Sequence, residues 1–208
     1  MEAEFESKEL KNYVNKILEK ENDEDIIKLK ELDNITRISL KNKNYKKEIL
    51  DCSVKDLKLF KNLKDCSIFC MNIKDADIQI LNSMKTLKCV YFDFCNFEII
   101  NSRFAENIET LIINLNKNFN IKSLENSTNL KTLKFLKSKV DLNNIENVKN
   151  IEKLEIYNSD VINIEGLLKM PKLKLINFSG SKVENEEMLD EVKNEIEIIH
   201  KEKYYLTN

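Results

Sequence analysis

Glycine and proline are nearly absent from this chain, which has two glycines and one proline among its 208 residues. Folds built on many tight turns with positive φ are therefore not expected. Neither GxGxxG nor GxxxxGK[ST] occurs, so the sequence offers no glycine-rich loop to cradle the phosphates of a nucleotide. We predict no bound cofactor.

An excess of positive charge is also lacking. The 34 lysines and arginines are offset by 36 aspartates and glutamates, which gives a net charge of −2. Only Arg37 and Arg103 are arginines, and arginine is the side chain best suited to paired hydrogen bonds with phosphates and base edges. A nucleic-acid partner is therefore not expected.

Long apolar runs are missing too, since no stretch approaches the 18 residues that a membrane span needs. The start, "MEAEFESKELKNYVNKILEKEN", is acidic and lacks the basic and then apolar segments of a signal peptide. The five cysteines are an odd number, and reduced thiols are the rule in the cytosol. These features predict a cytoplasmic protein without membrane association.

A repeat is what the sequence does contain. In "LKTLKFLKSKVDLNNIENVKN", residues 130–150, apolar side chains occupy positions 1, 4, 6 and 11 and a serine occupies position 9. This spacing fits neither the helical period near 3.6 nor the strand period of 2. The pattern begins at residues 63, 87, 108, 130, 151 and 173, after a looser copy at Ile35. Such a period indicates stacked coils, and we name each coil by its first residue.

The spacing has a direct physical meaning. Positions 4 and 6 lie on one face of a short strand and point into a core, while positions 3, 5 and 7 point the other way. Position 9 follows the strand, where backbone groups need partners inside the stack. Four residues at this position can form a hydrogen-bonded ladder: Asn116, Ser138, Ser159 and Ser181. Met71 cannot, so coil 63 is predicted to be the least regular.

The pattern resembles the leucine-rich repeat family, L-x-x-L-x-L-x-x-N/C-x-L, in the short 21–22-residue form of bacterial internalins. The resemblance covers residues 35–193 and implies an α/β solenoid, a curved horseshoe-like superhelix of about seven repeats. Its parallel β-sheet lines the concave face, and short helices or 3₁₀ turns form the convex side.

A solenoid needs a lid at each end, and the termini supply candidates within a single domain. Residues 1–34 predict a helical N-terminal cap, with a helix from Ser7 to about Lys20 and a second short helix in residues 23–32. Residues 194–208 predict a closing strand with Ile196 and Ile198, followed by a tail, and a slightly longer helix precedes that strand. The segment 41–62 fits the repeat poorly and suggests an insertion.

Solvent-facing positions 5, 7 and 8 of the middle coils are unusually apolar. The predicted partner-binding residues at these positions, which we call the concave band, are Phe69, Tyr91, Phe94, Ile112, Leu115, Leu136 and Tyr157. Aromatic-rich exposed patches mark protein-binding surfaces. The alternative is that these side chains pack on one another across the curved sheet or against a second copy of the chain.

Catalytic and metal sites have little to build on. Cys66 and Cys95 fall at inward positions, whereas Cys70 and Cys89 fall at outward ones, so four thiols cannot converge on one zinc ion. His200 is the only histidine, and no nucleophile–base pair is credible around it. No metal and no enzymatic activity are expected.

The sequence therefore favours a non-enzymatic interaction module that binds a protein or peptide partner through its concave face. One alternative is a homodimer or other self-associating structural protein that buries the same face. Another is an internalin-like surface adhesin, which the acidic start and the odd number of cysteines disfavour.

Overall fold

The chain forms a stack of coils, each of which contributes one strand to a single parallel sheet. The computed structural model describes residues 1–20, 26–41, 54–98, 103–104, 107–125, 127–191 and 195–201. Eight strands lie side by side in chain order. They are β1 (Arg37–Lys41), β2 (Asp65–Phe69), β3 (Cys89–Asp93), β4 (Thr110–Asn114), β5 (Thr132–Leu136), β6 (Lys153–Tyr157), β7 (Leu175–Asn177) and β8 (Glu197–Ile199).

The register of the sheet places equivalent repeat positions beside one another. Leu111 pairs with Leu133, and Leu133 pairs with Leu154. Side chains at positions 4 and 6 are buried, whereas those at positions 3, 5 and 7 of β2 to β5 are half-buried. Each buried leucine stabilises the fold by about 1.5–3 kcal/mol, and this happens only because the next coil covers it.

Position 9 forms the predicted ladder. The backbone N–H of Asn116 donates to Oγ of Ser138 at 3.1 Å, and the N–H of Ser138 donates to Oγ of Ser159 at 3.0 Å. The N–H of Ser159 then donates to Oγ of Ser181 at 3.2 Å. All four side chains are buried, so the ladder satisfies backbone donors that water cannot reach.

The N-terminal cap begins with helix α1 (Lys8–Ile17), whose first turn is capped by Ser7 Oγ accepting from the N–H of Leu10 at 3.2 Å. The helix ends at Ile17 and not at Lys20 as predicted, and Ile17 is itself exposed. Helix α2 (Leu29–Leu32) is shorter than predicted. Residues 23–25 of that prediction lie outside the described residues.

A carboxylate joins the cap to the repeats. Asp56 is buried, and its two oxygens accept from the N–H groups of Glu6 and Ser7 at 2.9 and 2.8 Å. Hydrogen bonds to a charged acceptor are stronger than those between neutral groups. The residues just before α1 are therefore held against the coil that precedes β2.

Most coils return along the convex side through one short 3₁₀ helix, as the spacing predicts. These helices are Lys55–Leu59, Ile121–Leu124, Ile145–Asn147, Ile164–Lys169 and Glu186–Glu191. Ile145, Ile164 and Leu167 of this set are buried against the core. Residues 42–53, most of the predicted insertion, lie outside the described residues.

Among the coils whose return the structure describes, coil 63 is the exception, as its methionine at position 9 predicts. It returns through an α-helix of nine residues, α3 (Asp75–Ser83). The Asp77 carboxylate accepts from the N–H of Lys74 at 3.0 Å and lies at the positive end of the helix dipole. Ile78 and Leu81 bury the inner face of α3. Met71 is buried at position 9 and contributes by packing.

Short strands follow position 9 in five of the coils. Lys139–Asp141, Asp160–Ile162 and Lys182–Val183 form a three-stranded parallel sheet, and Asn72–Lys74 pairs with Asn96–Glu98. In coil 108 the described residues 116–120 form no strand. The two small sheets are therefore separated at that coil.

The rear end closes as predicted in one respect and differs in another. Strand β8 pairs in parallel with β7, and Ile196 before it is buried. The slightly longer helix expected before β8 is observed as the 3₁₀ helix Glu186–Glu191. Because β8 starts at residue 197, the coil has room for one tight return only. Val192, which belongs to the helix predicted from the sequence, and the tail 202–208 lie outside the described residues.

Candidate functional site

The concave surface is shaped by a left-handed residue at position 8 of every coil from 63 to 173. These residues are Cys70, Phe94, Leu115, Lys137, Asn158 and Gly180, with φ between 48° and 72°. The N–H of Phe94 donates to the Asn114 carbonyl at 3.1 Å, and that of Leu115 donates to the Leu136 carbonyl at 2.9 Å. The left-handed residue thus turns each strand end so that position 9 points inward.

Phe94 and Leu115 are unusual occupants of this position. Glycine adopts a positive φ without steric cost, as Gly180 does here, whereas a bulky side chain is strained by about 1–2 kcal/mol. Their side chains also remain 53% and 44% exposed. Neither backbone preference nor core packing therefore explains a phenylalanine and a leucine here.

Phe69 and Tyr91 of the concave band pack on each other. Their ring centroids are 5.6 Å apart in an edge-to-face arrangement. The Tyr91 hydroxyl accepts from Nδ2 of Asn114 at 3.2 Å, and the same nitrogen donates to Oδ1 of Asp93 at 2.9 Å. Burial, and then the negative charge of Asp93, raise the pKa of Tyr91. Tyr91 is consequently held in place by its own neighbours.

The rear of the concave band is held by a charged network. Lys134 Nζ lies 2.9 Å from Oε2 of Glu155, and the two residues occupy position 5 on neighbouring coils. The Tyr157 hydroxyl donates to Oε1 of Glu155 at 2.7 Å, and Lys134 Nζ lies 5.7 Å from the centre of the Tyr157 ring. Burial alone would raise the pKa of Glu155, but the hydrogen bonds from Tyr157 and Lys134 outweigh it and lower that pKa.

The concave band is therefore less continuous than the sequence predicts. Polar Asp93 and Asn114 lie at position 7 between Phe69 and Leu136 in the register of the sheet. Ile112 and Leu136 are half-buried beside them. The most accessible apolar surface of the band is at Phe94 and Leu115, which occupy the same position on consecutive coils. The repeat places Asp93 and Asn114 at outward position 7, but it gives no indication of the hydrogen bond that joins them.

Comparison with solved structures found similar proteins, among them internalin C2 and InlP of Listeria monocytogenes. Internalin C2 shares 18% sequence identity over 92% of both chains, with a TM-score of 0.58. InlP shares 16% identity over 86% of this chain and 52% of its own, with a TM-score of 0.59, so the chain spans about half of InlP. No family profile matches the sequence, and no curated protein matches it.

The fold is that of an internalin-like leucine-rich repeat protein. At these identities the similarity concerns the architecture. The repeat frame and the eight-stranded sheet agree with it, whereas the concave residues of this chain must be interpreted from their own contacts.

The cysteines of the leucine-rich repeat domain are mostly enclosed. Burial raises the pKa of the Cys66 thiol, and it raises that of Cys95 to about 12. Cys70, predicted to face the concave side, is only 8% exposed, and burial and the charge of Asp93 raise its pKa. Within the described ranges, no cluster of three or more histidine, cysteine, aspartate or glutamate side chains is arranged to hold a metal ion. Cys52 lies outside those ranges.

His200 belongs to the rear end of the stack. Its Nδ1 pairs with the Glu186 carboxylate, and its Nε2 lies 3.1 Å from the Ser181 carbonyl. The ring also meets Phe178 edge-on, with centroids 6.5 Å apart. These contacts hold His200 against the last coil, so the histidine has a structural role at the rear end of the stack. None of the described helices is long and apolar enough to cross a membrane.

Proposed function

We propose that this protein is a non-enzymatic interaction module whose concave face binds a protein or peptide partner. The observation that carries the proposal is the pair Phe94 and Leu115, two bulky apolar residues in left-handed conformation with about half of each side chain in water. Exposed apolar patches of this kind mark interaction surfaces. Phe94 and Leu115 are the centre of the proposed interface, and we call them the apolar pair.

The surroundings of the apolar pair favour binding without rearrangement. The pair lies at the ends of β3 and β4, in the middle of a continuous sheet. The Phe69–Tyr91 and Glu155–Tyr157 contacts hold the neighbouring side chains in fixed positions. A preformed surface loses little conformational entropy on binding, so more of the contact energy contributes to affinity.

The remaining members of the concave band have a supporting role in this proposal. Tyr91 and Tyr157 use their hydroxyl groups within the protein, so they shape the rim of the interface and contribute less to its affinity. Residues around a binding centre typically exclude water from it and are close to neutral on substitution. We therefore expect a smaller loss of binding from Tyr91→Ala with Tyr157→Ala than from changes at the apolar pair.

The proposal is tested by capturing partners from the native cell with the purified protein and with the double variant Phe94→Ala, Leu115→Ala. Alanine is tolerated at least as well as phenylalanine at a positive φ, so the variant is expected to fold. We expect partners captured by the original protein to be reduced at least about tenfold, because truncating a binding centre costs about 2 kcal/mol or more.

The matched control is Ile26→Ala with Ile162→Ala, which removes two exposed apolar side chains outside the concave face. Equal loss of capture by both double variants would contradict a specific role for the apolar pair, and so would unchanged capture by Phe94→Ala, Leu115→Ala. Molecular mass in solution distinguishes the alternative. A dimer that becomes a monomer in the Phe94→Ala, Leu115→Ala variant identifies self-association as the function of this surface.

A further inference from the structure

We propose that the partner of the concave face carries an acidic segment, and that four lysines beside the apolar pair bind it. These lysines, which we call the lysine rim, are Lys117, Lys137, Lys139 and Lys182. The inference rests on the proposed function, since it assigns the chemistry of a second contact made by the same partner.

The lysine rim surrounds one groove at the carboxyl ends of the concave strands. The groove has a volume of about 350 Å³, and all four lysines line it together with Ser138 and Ser159. Lys137 occupies position 8 on the coil after Leu115, and the other three occupy position 10. The four side chains are exposed. Lys137 therefore continues the row of left-handed residues that contains the apolar pair, and the other three lysines lie two positions further along their coils.

The rim lysines differ from several other lysines of the stack, which form ion pairs between neighbouring coils. Neighbouring coils place lysines opposite carboxylates in three ion pairs, Lys88–Glu109 at 3.0 Å, Lys134–Glu155 at 2.9 Å and Lys174–Glu152 at 2.7 Å. No rim lysine takes part in an ion pair within the part of the chain that the structure describes. Lys117 and Lys139 even occupy the same position on consecutive coils, where like charges repel.

The carboxylates near the groove only partly offset this charge. Asp160 is the single acidic residue among the described residues that line it, and it lies between Lys139 and Lys182 in the register of the small sheet. Four lysines and one aspartate give a formal charge of +3 (4 − 1), in a chain whose net charge is −2. Asp141 and Glu184 line an adjoining groove, which Lys117, Lys139 and Lys182 also line, so the two grooves together carry a formal charge of +1 (4 − 3).

An acidic peptide segment fits this arrangement better than a nucleic acid does. The rim uses lysines alone, which act as point charges and lack the fork of arginine. The negative net charge of the whole chain opposes a long polyanion. An acidic segment next to an apolar side chain would satisfy the rim and the apolar pair together, and electrostatic complementarity of this kind speeds association and selects partners.

The test uses a hexaglutamate peptide and a hexaglutamine peptide of the same length, titrated into the full chain labelled for nuclear magnetic resonance. At about 0.01 M ionic strength, where charges act over about 30 Å, we expect hexaglutamate to shift the amide signals around residues 137–139 and 182. Hexaglutamine should leave them in place. At about 0.15 M, where charges act over about 8 Å, the affinity should fall at least about tenfold.

A matched pair of variants locates the binding. Lys137→Glu with Lys139→Glu should weaken hexaglutamate binding at least about tenfold. Lys149→Glu with Lys169→Glu makes the same change in net charge at two exposed lysines on the convex side, and it should leave the binding unchanged. Circular dichroism checks that both variants keep the fold.

Three results of the peptide experiments would overturn the inference. They are the absence of rim shifts at millimolar hexaglutamate, equal weakening by both double variants, and tighter binding of inorganic phosphate or a short oligonucleotide than of hexaglutamate. Failure here is separable from failure of the proposed function, because hexaglutamate has no apolar side chain to contact Phe94 and Leu115. Partner capture that depends on the apolar pair and is unaffected by Lys137→Glu, Lys139→Glu would retain the proposed function and reject the lysine rim.

Discussion

The front and rear coils hold repeat position 9 by different means. At the front, Met71 fills the position with a buried thioether, and the Cys95 thiol donates weakly to the Ile68 carbonyl at 3.3 Å. At the rear, an asparagine and three serines connect coil to coil through backbone N–H groups. Position 9 is therefore stabilised mainly by packing in the front coils and by hydrogen bonds between coils in the rear ones.

The difference has a structural consequence along the chain. Coil 63, which lacks a hydrogen-bonding side chain at position 9, is 24 residues long and returns through α3, whereas the described rear coils return through 3₁₀ helices. A buried hydrogen-bonded ladder favours one geometry at each step, because an unmade buried bond costs about 1–3 kcal/mol. Packing alone tolerates a longer coil, since no donor has to meet an acceptor on the next one.

Exchanging the residue types at position 9 between the front and rear coils gives the largest expected effect. Ser159→Met would place the methionine of the front coil into the rear ladder, where the side chain of Ser159 is buried and its Oγ accepts from Ser138 N–H. Overpacking costs about 1–3 kcal/mol, and the orphaned donor costs a similar amount. We expect the free energy of unfolding to fall by about 3 kcal/mol or more, measured by urea denaturation.

Met71→Leu is the control for that exchange, because it changes an apolar side chain at the same repeat position without involving a hydrogen bond. Volume-conserving swaps in a core cost less than about 1.5 kcal/mol. Similar losses from both variants would show that position 9 is governed by volume in both regions, and the distinction between front and rear coils would then fail.

Removing one hydroxyl from the ladder should give an intermediate effect. Ser138→Ala leaves the buried N–H of Asn116 without its acceptor, and we expect a loss of about 1–3 kcal/mol in the same denaturation experiment. Ser83→Ala is the matched control, since the Ser83 hydroxyl donates to the Ile80 carbonyl at 2.7 Å on an exposed residue. Water can replace that bond, so the control should lose no more than about 0.5 kcal/mol.

Much of the fold could be predicted from the sequence because buried positions carry apolar residues at regular intervals. The offsets of Leu111, Leu133 and Leu154 determine both the strand and its register, since one face of each strand must be apolar. The return through α3 was predicted only as an irregularity. Its signals are local, namely two acidic residues in the first turn and a longer coil, and short helical segments are decided by tertiary packing more than by propensity.

The candidate site was less predictable because its residues are distinguished by conformation. Position 8 is left-handed in six coils, but only Gly180 and Asn158 are residue types that indicate a positive φ. Phe94 and Leu115 therefore looked no different from Tyr91, which is held by Asn114. Side-chain hydrogen bonds depend on rotamers, and a repeat pattern contains no information about them. Three of the four rim lysines do recur at position 10, a signal that the charge balance of the whole chain conceals.

The smallest expected effect concerns the charged network of Lys134, Glu155 and Tyr157 on the concave side of the rear coils. In the front coils, the edge-to-face contact of Phe69 and Tyr91 takes its place. Glu155→Gln keeps the shape and an acceptor for the Tyr157 hydroxyl but removes the charge that pairs with Lys134. Because a paired surface charge contributes little, we expect a loss of about 0.5–1 kcal/mol at neutral pH.

The pH dependence of that loss separates charge from shape. The pKa of Glu155 is lowered in the folded protein, so the carboxylate stabilises the fold at pH values above its unfolded pKa of about 4.3. This contribution disappears as the pH falls through the lowered folded pKa. The difference in unfolding free energy between the original protein and Glu155→Gln should therefore shrink below about pH 4. A difference that stayed constant down to acid pH would assign the loss to altered packing, and the rear network would then be equivalent to the aromatic contact of the front coils.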